Sequence, residues 1–155
     1  MSVRQAVARQ YRAKVDRAMQ SIGQQPVQNE GWIATTRKAL RMPAAQLARR
    51  LGVTRARVSQ AEQAELAGGV TLKTLQSMAA AMGCRLVYAI VPVEGDVDDL
   101  ISAQARRKAE ALVANASDHM ALELQSLPDE KNRAEVERIA ADLARAMPAD
   151  FWAER

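Results

Sequence analysis

Residues 46–62 read Gln-Leu-Ala-Arg-Arg-Leu-Gly-Val-Thr-Arg-Ala-Arg-Val-Ser-Gln-Ala-Glu, and the placing of Ala48, Gly52 and Val58 in this stretch decides the fold. Two helices that cross steeply need a small residue where they approach, a glycine for the left-handed turn between them, and an apolar residue that seats the second helix. Ala48, Gly52 and Val58 fill those three places, and Leu47, Leu51, Val53 and Ala61 supply apolar support around them. Thr54, a residue type that caps helix starts well, stands just before the second helical pattern. The stretch therefore predicts a helix-turn-helix.

Working outward, four short helical patterns run from Trp32 to Gly83 with clear punctuation. The first, Trp32 to Met42, stops at Pro43, because proline disfavours helical geometry in the residue before it. The second, Ala44 to Leu51, closes at Gly52; the third opens after Thr54 and fades at Gly68-Gly69; the fourth opens at Thr71 and ends at Gly83. Upstream, Val3, Val7, Tyr11, Val15, Ala18, Met19 and Ile22 recur at helical spacing among arginines, and Gln24 to Gly31 reads as a connector. Downstream, Leu100, Ile101, Ala105, Leu112, Val113, Ala116, Met120 and Leu124 form one helical pattern, and Val136, Ile139, Leu143 and Met147 a second. The segment Ser126 to Asn132 separates them. Phe151 and Trp152 follow Pro148, and apolar rings so placed need something to dock against.

Between these blocks lies Cys84 to Val93, the one β-like segment, rich in Val, Ile and Tyr. Both alternating sets, Leu86/Tyr88/Ile90 and Val87/Ala89/Val91, are apolar. A lone strand leaves its backbone groups unpaired, so the reading is a strand that pairs with its mate in a homodimer. A short buried loop or a continuation of the helix is the alternative. The expected fold is mostly α: an N-terminal helix (1–25), a helix-turn-helix domain (30–83), one dimerising β-strand (84–93) and an acidic helical extension (96–155).

Composition narrows the function. The 155 residues suffice for one compact domain, or a small one with an extension; 3% aromatic content argues against a β-sandwich. One cysteine and one histidine leave no disulfide, no zinc cluster and no imidazole cage, so no cofactor or metal is expected. Cys84 reads as a small core residue. The first seventeen residues hold five cations and no apolar stretch of the secretory type; they have some likeness to a mitochondrial presequence, but a folded amphipathic helix is the expectation. The longest apolar run, Leu86 to Val93, is eight residues, too short to span a membrane, and a cytoplasmic protein is expected.

Charge is divided along the chain. Residues 1–70 carry twelve Lys and Arg against four Asp and Glu, a net +8, whereas residues 96–155 carry eight against thirteen, a net −5. A basic front suits a polyanion, and an acidic tail suits a protein partner.

With Val58 and Ala61 facing inward, helical spacing turns Arg55, Ala56, Ser59 and Gln60 outward. These types suit a major groove: Arg donates twice to guanine, Gln pairs bidentately with adenine, and an alanine methyl meets a thymine methyl. Thr54, Arg57, Gln46, Arg49 and Lys73 are placed for phosphate, which positions a protein without reading sequence. Catalysis finds no support. Ser117, Asp118 and His119 are consecutive and cannot converge on a helix, and Gly68-Gly69 lacks the ending of a phosphate-binding loop.

Residues 32–83 resemble the Xre/Cro family of phage-repressor-type DNA-binding domains. In that family an Arg of the first helix often pairs with the Glu closing the recognition helix, and Arg37 and Glu62 occupy those places. The sequence departs from the pattern at Pro43-Ala44, where a Ser or Asn and a phosphate-binding Gln are usual. With the preceding Arg-rich helix, residues 104–125 and the terminal Phe-Trp included, nearly the whole chain is similar to the family called mobile mystery protein A. That resemblance implies an antitoxin-like regulator partnered with a Fic-domain protein. The strand is likewise similar to the pairing strand of the antitoxin of the persistence-kinase system. Fic inhibitors commonly carry [ST]-x-x-x-E-[GN]; the nearest string, Ser126 to Lys131, ends in Lys and contains Pro128, so it does not fit. Neutralisation of such a partner is assigned instead to the acidic helices after Asp96 or to the aromatic terminus.

The function expected is therefore a dimeric, sequence-specific repressor on an inverted-repeat operator, probed against two alternatives. One is a protein-interaction module with little specific DNA binding; the other is a stand-alone regulator whose C-terminal helices sense a ligand.

Overall fold

A left-handed residue, Gly52 at φ 67°, ends one helix and aims the next. In the computed structural model, which describes residues 2–23, 25, 29–122 and 129–153, the chain divides into two compact units. The first to consider is Gln25–Tyr88. It holds α2 (Trp32–Ala39), α3 (Ala44–Leu51), α4 (Arg55–Leu66) and α5 (Leu72–Ala81). The second, Met1–Gln24 with Ala89–Arg155, holds α1 (Val3–Ala18), α6 (Val97–Leu122) and α7 (Asp129–Ala146). One π-helical turn, Met19–Gly23, extends α1.

In the helix-turn-helix unit the turn is closed by backbone bonds. The Val53 N–H donates to Ala48 O at 3.0 Å and the Gly52 N–H to Arg49 O at 3.2 Å, satisfying carbonyls that the end of α3 would otherwise leave open. A Cβ on Gly52 would meet nothing within 4 Å, so glycine is there for its backbone angle and not for space. Gly52→Ala should accordingly cost about 1–2 kcal/mol, the left-handed penalty for an L-residue, read as a lower urea midpoint with an unchanged m-value. Thr54 and Thr71 cap α4 and α5, their hydroxyls accepting from Arg57 N (3.2 Å) and Thr74 N (3.1 Å). Ile33, Leu47, Ala48, Val58, Ala61, Met78 and Met82 form one buried core, with Met42, Leu51 and Leu75 packed on it. Arg50 donates to Ala81 O at 3.0 Å, tying α3 to the end of α5.

The second unit has its own core. Ile101 and Ala105 of α6 pack with Phe151, surrounded by Val97 and, from α7, Ala140, Leu143 and Ala144. Two of its helix starts are well satisfied: Ser2 and Gln5 form a reciprocal capping box on α1, and Asp96 and Asp99 exchange bonds of 2.9 Å at the start of α6. Asp16 of α1 accepts from Val97 N at 3.0 Å, and Arg12 pairs with Asp98 at 2.6 Å. Phe151 is 1% exposed and its carbonyl accepts from the buried amide of Gln104 at 2.8 Å, while Trp152 stands largely in solvent, edge-on to it. Asp129 to Lys131 open α7; Ser126, Leu127 and Pro128, and with them half of the string compared with Fic inhibitors, lie outside the described residues, as does Leu124. No helix is long and apolar enough to cross a membrane among the described residues.

The segment after α5 corrects the sequence reading. The described residues contain no β-strand, and Leu86, Val87, Tyr88, Ala89, Ile90 and Val91 run as irregular chain; the dimerising strand at 84–93 is not formed, and all regular structure is helical. The reason is that a strand is not a local structure. Its stability comes from ladder bonds and cross-strand side chains, and β-branched content only suits a residue to a ladder that something else must supply. Every other apolar stretch seen here is committed to helix, so Val87, Tyr88 and Ile90 remain in solvent, Ile90 at 89% exposure. Cys84 is exposed too, not a core residue; its N–H donates to Ala79 O at 2.8 Å as α5 ends.

Candidate nucleic-acid interface

The inward pull of two residues sets the outer face of α4. Val58 and Ala61 are buried against α3, which leaves Arg55, Ala56, Ser59 and Gln60 exposed on the opposite side, with Arg57 and Gln63 beside them. Thr54 sits at the N-terminal tip of the same helix. Its hydroxyl oxygen accepts on the cap and still has a proton to donate. Gln46 and Arg49 are exposed on α3 and Lys73 on the first turn of α5. Among the described residues, Arg49, Arg55, Arg57 and Lys73 have no ion-pair partner, so their charge is not cancelled locally.

Arg37 orients α4. Arg37 of α2 meets Glu62 in a two-pronged pair, Nε to Oε1 at 2.7 Å and Nη2 to Oε2 at 3.3 Å, and its Nη1 donates to Met42 O at 3.1 Å. Both side chains are mostly covered, which strengthens the attraction relative to a surface pair. The hydrogen bond that Arg37 donates to Glu62 raises the Arg37 pKa above its already high ordinary value, against the opposing effect of burial. A raised cation contributes its stability throughout the range below that pKa and loses it only in strong alkali, so the Arg37 side of this clamp does not titrate under working conditions.

Glu65 was not singled out by sequence reading. Its carboxylate accepts from Trp32 N at 2.7 Å and Ile33 N at 3.0 Å, capping α2 from the end of α4. Gly31, the residue before α2, has no side chain with which to make that cap, and a Cβ there would strike the Glu65 carboxylate. The only sequence signal was Glu65 lying three residues after Glu62, on the same side of the helix. Two carboxylates one turn apart thus hold the helix against α2.

An exposed helix carrying uncancelled Arg and Gln, seated on a second helix by a left-handed glycine turn, is the geometry that enters a major groove. Residues 33–88 match the family described as helix-turn-helix. They form a helix-turn-helix domain of the Xre/Cro type. Domains of this family bind DNA and regulate transcription. Neither a curated protein nor a solved structure matches the chain. In helix-turn-helix domains generally the second helix of the motif enters the major groove and the first crosses the backbone; α4 and α3 take those two places in the motif. Among the described residues no group of three His, Cys, Asp or Glu side chains is placed to hold a metal ion.

Proposed function

We propose that the protein is a sequence-specific repressor that binds as a homodimer to an inverted-repeat operator beside its own gene, inside the cell, as the antitoxin-like member of a two-gene module with a Fic-domain partner. The observation carrying the DNA reading is the exposed, ion-pair-free set on α4, held at a fixed angle by Glu62 and Glu65. Arg55 and Gln60 read base edges, with Ala56 and Ser59 between them; Thr54, Arg57, Gln46, Arg49 and Lys73 hold phosphates. The module and its partner rest on the family likeness and on the charge division between the front and the rear of the chain.

Two recognition helices entering successive major grooves lie about 34 Å apart, so the operator should be a palindrome with half-sites one turn apart. Arg55→Ala should weaken operator binding by about 1–3 kcal/mol and relax one base position, whereas Lys73→Ala should weaken operator and random duplexes alike. Equal losses on both duplexes for Arg55→Ala would reassign that side chain to phosphate. The whole reading is tested by fluorescence anisotropy on the upstream DNA against a scrambled duplex across a salt series. A preference of about 10³-fold or more with a steep salt slope is expected. Equal weak binding to both duplexes would refute it.

A further inference from the structure

α1 carries an apolar ridge that the fold does not use. Val3, Val7 and Tyr11, spaced four residues apart, are 81%, 42% and 64% exposed. The other side of the helix is anchored: Ala8, Val15 and Met19 are half-buried, Arg12 is paired to Asp98, and Asp16 accepts from Val97 N. The ridge is thus presented on a fixed helix. Helical spacing places Arg4 along one edge of it and Lys14 in line with it, one turn past Tyr11, and the Lys14 ammonium lies 5.5 Å from the Tyr11 ring centre. Asp16 is the only carboxylate of α1, and it is turned to the start of α6. Beside Arg4 the surface opens into a groove of about 680 Å³ between α1 and the end of α7, lined by Arg4, Arg9, Arg12 and Arg145 and by no acidic side chain.

We propose that this outer face of α1 is a docking surface for an amphipathic helix with acidic flanks, carried by a partner protein. A ridge of residues four apart is the feature that seats in the groove of a second helix. Its length, about 12 Å, matches two turns of such a partner. The cations at its edge and at its far end select glutamate or aspartate flanks. Other occupants fit less well. The apolar arc covers about 80°, narrower than the stripe of about 100° or more that a helix lying on a lipid surface would bury. A phosphate backbone has nothing to offer two valines and a tyrosine ring. A second copy of the same face would set Arg4 and Lys14 against like charges. The proposal is independent of the reading of α4, because it needs no contact with DNA.

The test uses the full-length protein and a labelled synthetic helix with a leucine seam flanked by glutamates, beside the same seam flanked by lysines. The glutamate peptide should bind at least about tenfold more tightly than the lysine one. Val3→Asp, at a position too exposed to disturb folding, should weaken that binding by about tenfold, and Lys14→Glu should narrow the difference between the peptides. Circular dichroism verifies that both variants keep their helix content. Equal binding of the two peptides would overturn the proposal, as would indifference to Val3→Asp. So would binding to phosphatidylglycerol vesicles that Val3→Asp abolishes while neither peptide binds, or a dimer in sedimentation that Val3→Asp dissociates.

Discussion

Phe151→Ala is expected to destabilise the unit built from α1, α6 and α7 by about 3–5 kcal/mol, read as a lowered thermal or urea midpoint by circular dichroism. The ring is almost wholly buried against Ile101 and Ala105, and Val97, Leu143 and Met147 close around it. Truncation removes the transfer energy of the ring and leaves a cavity. It also loosens the turn that brings the Phe151 carbonyl to Gln104, a buried amide that would lose its acceptor. Such a loss is a large share of the 5–15 kcal/mol typical of a domain. Trp152→Ala should cost less than about 1 kcal/mol, since that ring is mostly in water. A loss below about 1 kcal/mol for Phe151→Ala as well would show that the terminal turn is not what closes this core.

Leu47→Ala should act on the other unit, with a loss of about 2–5 kcal/mol. Leu47 is fully buried in the cluster with Val58 and Ala61, so its removal takes away the seat of the recognition helix. Hydrogen exchange separates the two substitutions. Leu47→Ala should raise exchange through α3 and α4 and leave α6 and α7 protected, because the two cores share no residue. DNA affinity should fall in step with the folded fraction of Gln25–Tyr88. Retention of full affinity with α4 amides unprotected would overturn the view that the recognition helix must be seated to bind.

The helical class and the helix-turn-helix were legible because they rest on near neighbours. Gly52 at its left-handed turn, Thr54 and Thr71 as caps, and the inward spacing of Leu47, Ala48, Val58 and Ala61 all follow from backbone sterics and a period of 3.6 residues. The same spacing says which side chains of α4 face outward, and therefore that Arg55, Ala56, Ser59 and Gln60 share a surface. Arg37 and Glu62 were named through a family likeness, and the geometry brings them within 2.7 Å.

What the sequence could not decide was set by groups far apart in the chain. Glu65 caps α2 from 33 residues away and Gln104 holds the Phe151 carbonyl from 47, and neither distance leaves a periodic trace. The stretch from Leu86 to Val91 shows the same limit from the other direction. Its residues have strand character, yet a strand requires a ladder, and no other described segment forms a strand to provide one. Local sterics and periodicity are properties of a sequence. Hydrogen-bond partners for a distant helix end, a docking place for a ring and a neighbour for a strand are properties of the folded chain, and only the tertiary structure assigns them.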